Sequence, residues 1–262
     1  MADAGSAYEL AVLADAPWGY WPLDETAGVV ANDRSGNARN GTYAGGFLLG
    51  QPPAASFGGF SVLLPNGATM IRSPGPAPAG SPLTVEAWIA FFSNPNQFST
   101  QVGQGGNAAG GMFLTSSSAQ CGPTSIGVHL PGQTVFCPGL PDISGWHLFH
   151  IVRTAAAGVA GILKLYVDGA EITTINPVTV NAGPSDICVN GQGATNFSNG
   201  LYDEVAVYTA ELSQARILAH AAAAGGINSS PLGGAQGNQI QAAQAALQAT
   251  LNEILHAVKK TY

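Results

Sequence analysis

Residues 83–92 read LTVEAWIAFF, and apolar side chains occupy alternate positions along this stretch. Successive side chains of a β-strand point to opposite faces of the sheet, so the alternation predicts a strand with two unequal faces. One face carries Val85, Ala87, Ile89 and Phe91, and the other carries Glu86 and Trp88.

Seven similar runs of four to eight residues lie between residues 61 and 208, separated by clusters of Gly, Pro and Asn. Pro131-Gly132 and Asp168-Gly169 stand between or after such runs and predict hairpin turns. Many short strands with regular turns are typical of an all-β, two-sheet antiparallel jelly-roll sandwich. The predicted strands are residues 61–65, 111–117, 125–130, 134–137, 147–154, 162–169 and 201–208.

The composition narrows the classes of partner. Charged residues make up 9% of the chain and the formal net charge is -7, with basic residues scattered singly except for Lys259-Lys260. Phosphate binding needs clustered Lys and Arg, so we expect no nucleic-acid partner. The sequence shows no apolar run of about 18 residues and no signal peptide, so we expect neither membrane insertion nor export.

Three cysteines, Cys121, Cys137 and Cys188, are an odd number without Cys-x-x-Cys spacing, which argues against a zinc site and against a disulfide-stapled secreted scaffold. A bridge between Cys121 and Cys137 is possible in an oxidising compartment. The favoured interpretation is that the cysteines are buried free thiols.

The period of the sequence changes after the last predicted strand. Residues 209–226 carry apolar side chains at helical spacing and predict a short helix that closes the sandwich. We therefore divide the chain into a sandwich domain over 1–226, a Gly/Ser/Pro linker over 227–239 and an amphipathic C-terminal α-helix over 240–262.

The C-terminal helix has a heptad pattern, which predicts self-association, with a trimer favoured, or docking on another protein. The alternative is that this helix folds back onto its own sandwich. The seam consists of Ile240, Leu247, Leu251, Ile254 and Val258.

A set of motifs resembles the laminin G-like domains of the concanavalin A-like lectin/glucanase superfamily. They are YWPLDETAG (20–28), NDRSGNARNGTY (32–43), LTVEAWI (83–89), HIV (150–152), LKLYVDG (163–169) and GLYDEVAVYTAELSQARILAH (200–220). The resemblance implies a concanavalin A-like jelly roll whose two chain ends lie in neighbouring strands. It places Tyr20, Trp21 and Leu23 in the core beside Val205, Val207 and Tyr208, and it makes His150 a packed strand histidine.

The resemblance also implies one structural calcium ion, because some members of the superfamily carry one. Asp33 and Asn37 lie in an oxygen-rich turn and Asp203 could complete the site, since Ca²⁺ prefers oxygen ligands. The alternative is an Asx-rich turn whose side chains bind its own backbone.

The glucanase branch of the superfamily uses carboxylates at alternate strand positions. Here the acids form adjacent pairs, Asp24-Glu25 and Asp203-Glu204, and neighbours on a strand point to opposite faces. We therefore expect no enzymatic activity, and a glycoside hydrolase is the less favoured alternative.

The long polar segments 92–111 and 190–199 predict contact loops for a glycan or protein at the rim of the sandwich. The candidate ligand-binding residues are Asn96, Phe98, Gln104, Asn107, Asn196 and Phe197. The composition and the terminal helix together resemble those of a bacteriophage virion protein. Such a protein would be a minor tail protein or a capsid decoration protein. The expected partners are other virion proteins and a host cell-surface glycan, and the alternative is a purely structural assembly protein.

Overall fold

The structure is a computed structural model, and it describes most of the first 225 residues. The described residues are 6–55, 58–72, 75, 82–93, 99–105, 111–116, 126–130, 135–137, 145–181, 186–191 and 197–225. The chain divides into two compact units, Met1–Ile227 and Asn228–Tyr262, and the described residues belong to the first. The predicted linker, the terminal helix and its seam residues Ile240, Leu247, Leu251, Ile254 and Val258 lie outside the described residues.

Two helices and sixteen strands occur within the described part of the chain. In chain order they are α1 (Ala7–Ala14), β1 (Gly19–Trp21), β2 (Val30–Ala31), β3 (Gly41–Ala44), β4 (Leu48–Gln51), β5 (Ser61–Leu64), β6 (Thr69–Arg72), β7 (Leu83–Ser93), β8 (Ser99–Gln104), β9 (Met112–Ser116), β10 (Ile126–His129), β11 (Val135–Phe136), β12 (Gly145–Arg153), β13 (Ala160–Val167), β14 (Ala170–Thr179), β15 (Ile187–Val189), β16 (Asn199–Tyr208) and α2 (Gln214–Ala223).

The strands form two sheets of eight strands each. The first sheet has the order β14-β13-β12-β7-β16-β5-β4, with β1 also paired to β16, and the second has the order β11-β10-β9-β8-β15-β6-β3-β2. The strand pairs are antiparallel, as in the pairs of β7 with β12 and with β16. The predicted all-β jelly-roll sandwich with a helix after the last strand is confirmed.

The main core lies between the two sheets. Val85, Ala87 and Ile89 of β7 are buried there together with Met70 and Leu114 of the second sheet. Trp88 belongs to a separate apolar cluster on the outer face of the first sheet. The two faces predicted from the alternation in residues 83–92 are therefore confirmed.

Both helices cover the outer face of the first sheet. Tyr8 and Val12 of α1 and Ile217 of α2 pack there with Trp88 and Tyr208. Since neither helix is long and apolar enough, no helix in the described part of the chain could cross a bilayer.

Of the two helices, α2 was predicted and α1 was not. The sequence signal for α1 is Ser6 followed by Glu9, the spacing of a capping box, and the Ser6 hydroxyl accepts a hydrogen bond from the Glu9 N–H at 3.0 Å. At eight residues α1 is too short to be stable alone, so packing on the sheet holds it.

The two ends of the sandwich are neighbours, as the resemblance implies. Strand β1 pairs with β16, with Tyr20 opposite Ala206 and Trp21 opposite Val205. Trp21 joins the core between the sheets, but Tyr20 joins the cluster beneath the helices. The expectation that both rings enter one core is corrected, because adjacent strand positions face opposite sides.

The hairpin predicted at Asp168-Gly169 is confirmed: both residues have positive φ, 53° and 81°, between β13 and β14. Pro131 and Gly132 lie outside the described residues. Cys188 is a buried free thiol, whereas Cys137 is disulfide-bonded. The preference for free thiols is thus right for Cys188 and wrong for Cys137; Cys121 is outside the described residues.

Candidate functional site

A group of ionisable side chains lies on the outer face of the first sheet, beneath α1 and α2. We call it the outer polar layer. It comprises Tyr8, Asp15, Tyr20, Glu86, His150, Asp203, Glu204, Tyr208 and His220.

Glu86 is at the centre of this layer. It extends from the middle strand of the sheet and is completely buried. A buried carboxylate is costly unless donors satisfy it. The Tyr8 hydroxyl of α1 donates to Oε1, and the Tyr208 hydroxyl of β16 donates to Oε2 at 2.9 Å.

Two histidines also face Glu86. Nδ1 of His220, on α2, lies 3.0 Å from Oε2, and Nε2 of His150, on β12, lies 3.4 Å from the same oxygen. The other ring nitrogen of His220 is 2.9 Å from Oδ2 of Asp15 and 3.1 Å from the carbonyl oxygen of Ala11. His220 therefore connects the sheet to α1 and to Asp15, the C-cap residue of α1.

The electrostatics of this cluster favour an ionised Glu86. Burial alone would raise its pKa, but His150 and His220 hold the pKa below its ordinary value. Burial lowers the pKa of His220, yet Glu86 and Asp15 raise it above its ordinary value. Burial and Glu86 raise the pKa of Tyr8, so its hydroxyl keeps the proton that it donates.

A second part of the layer is the acid pair Asp203-Glu204 in β16. The strand has a register shift between Asp203 and Ala206, and Glu204 has a φ of 52°. This β-bulge interrupts the alternation of side chains, and the two carboxylates interact. The expectation that the acids lie on opposite faces is therefore wrong.

Both acids of the pair are covered, with 1% of Asp203 and 6% of Glu204 exposed. The Tyr20 hydroxyl donates to Glu204, and the Ala54 N–H donates to Asp203 at 2.9 Å. Burial raises the pKa of Glu204 to about 8, because the hydrogen bond from Tyr20 offsets only part of the cost. Burial and Glu204 raise the pKa of Asp203 as well.

The other adjacent pair, Asp24-Glu25, is engaged in surface contacts. Asp24 accepts from the Arg34 guanidinium at 2.6 Å. Glu25 accepts from the Asn32 N–H at 2.7 Å and from the Tyr43 hydroxyl at 2.7 Å. These two carboxylates therefore bind different partners.

The residues predicted to bind calcium form backbone contacts. Asp33 accepts from three N–H groups, those of Tyr20 at 3.0 Å, Ser35 at 2.8 Å and Arg39 at 2.7 Å. Burial would raise its pKa, but these hydrogen bonds lower it. The arrangement is the one that the alternative interpretation, a self-satisfied Asx-rich turn, predicts.

The other two predicted calcium ligands are engaged elsewhere. Asn37 donates to the carbonyl oxygens of Pro17 and Trp18, and Asp203 lies in the outer polar layer. Within the described part of the chain, the acidic, histidine and cysteine groups close enough to share an ion are Glu86, His150 and His220 instead. A calcium site at Asp33, Asn37 and Asp203 stays a prediction.

Most of the predicted ligand-binding residues, namely Asn96, Phe98, Asn107 and Asn196, lie outside the described residues. Phe197 is partly buried. Gln104 is completely buried, and its strand neighbours Met112 and Ile187 are core residues. The structure therefore removes Gln104 from the predicted contact surface.

The cluster around Glu86 was not predicted, although the sequence contains one signal for it. Glu86 is the only charged residue of β7, and His150 lies between the apolar residues Phe149 and Ile151 of β12. The structure pairs these residues directly across β7 and β12. The sequence did not give the register of that pair or the approach of His220.

The sequence matches the model of a known protein family. The laminin G-like model of the concanavalin A-like lectin/glucanases superfamily matches residues 65–218. No curated protein matches the chain.

Several solved structures share the fold at low identity. A mutant Trypanosoma rangeli sialidase aligns with a TM-score of 0.59 and 14% identity over 87% of this chain and 37% of the sialidase. The binding domain of Paraclostridial Mosquitocidal Protein 1 gives 0.57 and 14% over 79% of this chain and 52% of that one. Domain 4 of the arabinanase AbnA from Geobacillus stearothermophilus, in complex with arabinotriose, gives 0.55 and 15% over 78% and 97%. The chain spans about a third of the sialidases it matches.

The raised pKa of Glu204 predicts that the stability of the fold depends on pH. Its pKa is about 8 in the folded protein against an ordinary 4.5, so the folded state binds this proton more tightly than the unfolded chain. The stabilisation is complete below the ordinary pKa and is lost as the pH rises through about 8. We expect Glu204→Gln to flatten the decline of Tm between those values.

Thermal unfolding followed by circular dichroism across this pH range measures the effect. Glu211→Gln, which removes a carboxylate from a surface ion pair with Lys164, is the control and should keep the wild-type slope. An identical slope in Glu204→Gln and wild type contradicts the assignment.

Asp33→Ala removes the acceptor of three N–H groups, and we expect it to lower the free energy of unfolding by about 2 kcal/mol. Asp33→Asn, which keeps one oxygen acceptor, should lose less. Urea unfolding measures both values.

Repeating the urea unfolding with millimolar calcium tests the predicted calcium ion. Stabilisation of the wild type by calcium that disappears in Asp33→Ala supports the site. If calcium does not stabilise the wild type, the site is excluded.

Proposed function

The chain belongs to the concanavalin A-like lectin/glucanases superfamily, and from that membership we propose that it is a non-catalytic binding module on the surface of a bacteriophage virion. Its sandwich contacts a glycan or a protein of the host surface, and its C-terminal segment attaches it to other virion proteins. The proposed location is a minor tail or a capsid decoration.

The positions of the carboxylate side chains support the proposed non-catalytic role. A glycoside hydrolase needs two carboxylates that flank the scissile bond of a bound sugar, about 5 Å apart in retaining enzymes. In the described residues, the interacting pair Asp203-Glu204 is covered by the protein and Glu86 is completely buried. A sugar could not reach these groups without displacement of the elements that cover them.

The likeness to sialidases does not alter this proposal. It covers 37% of the sialidase chain at 14% identity, and such a likeness concerns the fold. Function depends on the site rather than on the fold. Neighbours of the same fold are described as a binding domain, as a receptor binding domain and as a domain in complex with arabinotriose, which supports recognition as the role of this sandwich.

Among the described residues, we propose one edge of the sandwich as the contact surface. Strands β4 and β2 are the last strands of the two sheets, and residues 45–47 join β4 to β3, the neighbour of β2. Large apolar side chains are exposed in or next to β2 and β4 and at the residue before β5, the strand that pairs with β4. We call this contact surface the β2–β4 edge, and it comprises Val29, Val30, Leu48 and Phe60.

Phe60 is the aromatic residue of the β2–β4 edge, with 43% of its surface exposed. Exposed apolar side chains gathered at one place mark interaction sites more often than scattered ones do. Glu25 precedes β2 and Asn32 directly follows it, so the surroundings combine an apolar face with hydrogen-bonding groups. This combination suits a sugar ring.

Attachment is proposed for residues 227–262. The Gly/Ser/Pro linker 227–239 separates the sandwich from residues 240–262, whose heptad pattern favours a trimer. Three modules on one trimer would bind a repetitive surface with increased avidity. The alternative function is a structural assembly protein without glycan binding.

A glycan array that includes cell-wall polysaccharides of candidate hosts tests recognition. We expect the full chain to bind and Phe60→Ala to lose binding by about tenfold or more, because a stacking face contributes on the order of 1–2 kcal/mol. Val159→Ala, which removes an exposed apolar side chain next to β13, is the matched control and should bind like wild type. Absence of any signal favours the assembly role.

Removal of residues 227–262 should give a folded monomer, because all of these residues except Ile227 belong to a compact unit separate from that of the sandwich. We expect the full chain to be a trimer in analytical ultracentrifugation and the shortened chain to sediment as a monomer with unchanged Tm. An unfolded product, or an oligomer that persists after truncation, contradicts the proposed division of roles.

A further inference from the structure

We propose that Glu86, His150 and His220 bind a divalent transition-metal ion of the zinc class. The site lies between the central strands of the first sheet and α2, inside the outer polar layer. It is independent of the glycan or protein that the module recognises.

The distances between the candidate ligand atoms suit a small tetrahedral ion. Oε2 of Glu86 lies 3.0 Å from Nδ1 of His220 and 3.4 Å from Nε2 of His150, and all three ligand atoms lie within 4.8 Å of one another. Bonds of 2.0–2.1 Å in a tetrahedral zinc site separate neighbouring ligand atoms by about 3.3 Å. Small shifts of the rings would therefore place the three atoms around one ion.

The surroundings of His150 are independent evidence for a metal ion. It is completely buried, and neither of its ring nitrogens has a hydrogen-bond partner among the described residues. Buried polar groups are nearly always satisfied, and exceptions call for an explanation such as an ion. Nε2 of His150 points toward the Glu86 carboxylate at 3.4 Å, the position that a metal ligand would occupy.

His220 is already held as metal-binding histidines are. Nδ1 faces Glu86, and Nε2 lies 2.9 Å from the Asp15 carboxylate. Histidines that bind metals usually donate their second N–H to a carboxylate or a carbonyl, which fixes the tautomer and increases the basicity of the ligating nitrogen. Asp15 is therefore a positioning residue for the site.

The ligand chemistry selects the class of ion. Two imidazole nitrogens and one carboxylate suit zinc and similar transition metals, whereas calcium and magnesium prefer oxygen ligands. The hydroxyl of Tyr208, which donates to Glu86 at 2.9 Å, is within reach of the same space. Complete burial of the three ligands makes the ion structural: it would join β7, β12 and α2.

Zinc content of the full-length protein tests the site. Because the cluster is covered, zinc is supplied both during expression and during refolding from denaturant, and loosely bound metal is removed by gel filtration over a chelator. We expect a single zinc ion per chain by mass spectrometry of the metal. Refolding with cobalt should give the visible absorption bands of a tetrahedral cobalt site.

Three variants locate the ion. His150→Gln should lose zinc, and Asp15→Asn should weaken zinc affinity by about 10–100-fold in a chelator competition, as expected for a partner of a ligating histidine. His147→Gln is the matched control, since His147 pairs with Asp168 at 2.7 Å outside the cluster. It should bind zinc like wild type.

The proposal is overturned if the wild-type protein binds neither zinc nor cobalt, whether the metal is supplied during expression or during refolding. The cluster is then a hydrogen-bonded network without a metal ion. Zinc retention in folded His150→Gln equal to that of His147→Gln also overturns it. Should His150→Gln fail to fold, Asp15→Asn decides: an affinity equal to wild type places the zinc elsewhere.

Discussion

The closed outer face of this sandwich depends on one buried carboxylate. Glu86 is in the middle strand of the first sheet, and its transfer from water costs several kcal/mol unless donors surround it. The groups that meet it come from a helix before the sandwich, from the last strand and from a helix after it: Tyr8, Tyr208 and His220. The two helices are thus required by the sheet and are not merely attached to it.

This dependence explains which features the sequence predicts. The alternation around Val85 and Ala87 is local and depends only on which side of the sheet meets the core, so the strands and the sandwich follow from it. The hydrogen-bond partners Tyr8, Tyr208 and His220 are 78 to 134 residues away from Glu86 along the chain. No local pattern encodes such contacts, and α1 escaped prediction because packing rather than its own length stabilises it.

The acid pair shows a different limit of sequence reasoning. Asp203 and Glu204 follow the rule of opposite faces only in a regular strand, and the bulge at Glu204, with a φ of 52°, breaks that rule. A positive φ at a non-glycine residue carries a conformational cost that the surrounding structure must offset. Here the Tyr20 hydroxyl and the pairing of β1 with β16 hold the bulge, so the sequence of β16 alone could not reveal it.

These constraints also limit where a ligand could reach the sandwich. The outer face of the first sheet is occupied by α1, α2 and the polar layer, and a ligand there would have to displace the two helices. The exposed apolar side chains of the β2–β4 edge can be covered without stripping hydrogen bonds from Glu86. The helices therefore keep the outer face of the first sheet covered, and the proposed recognition would use the β2–β4 edge instead.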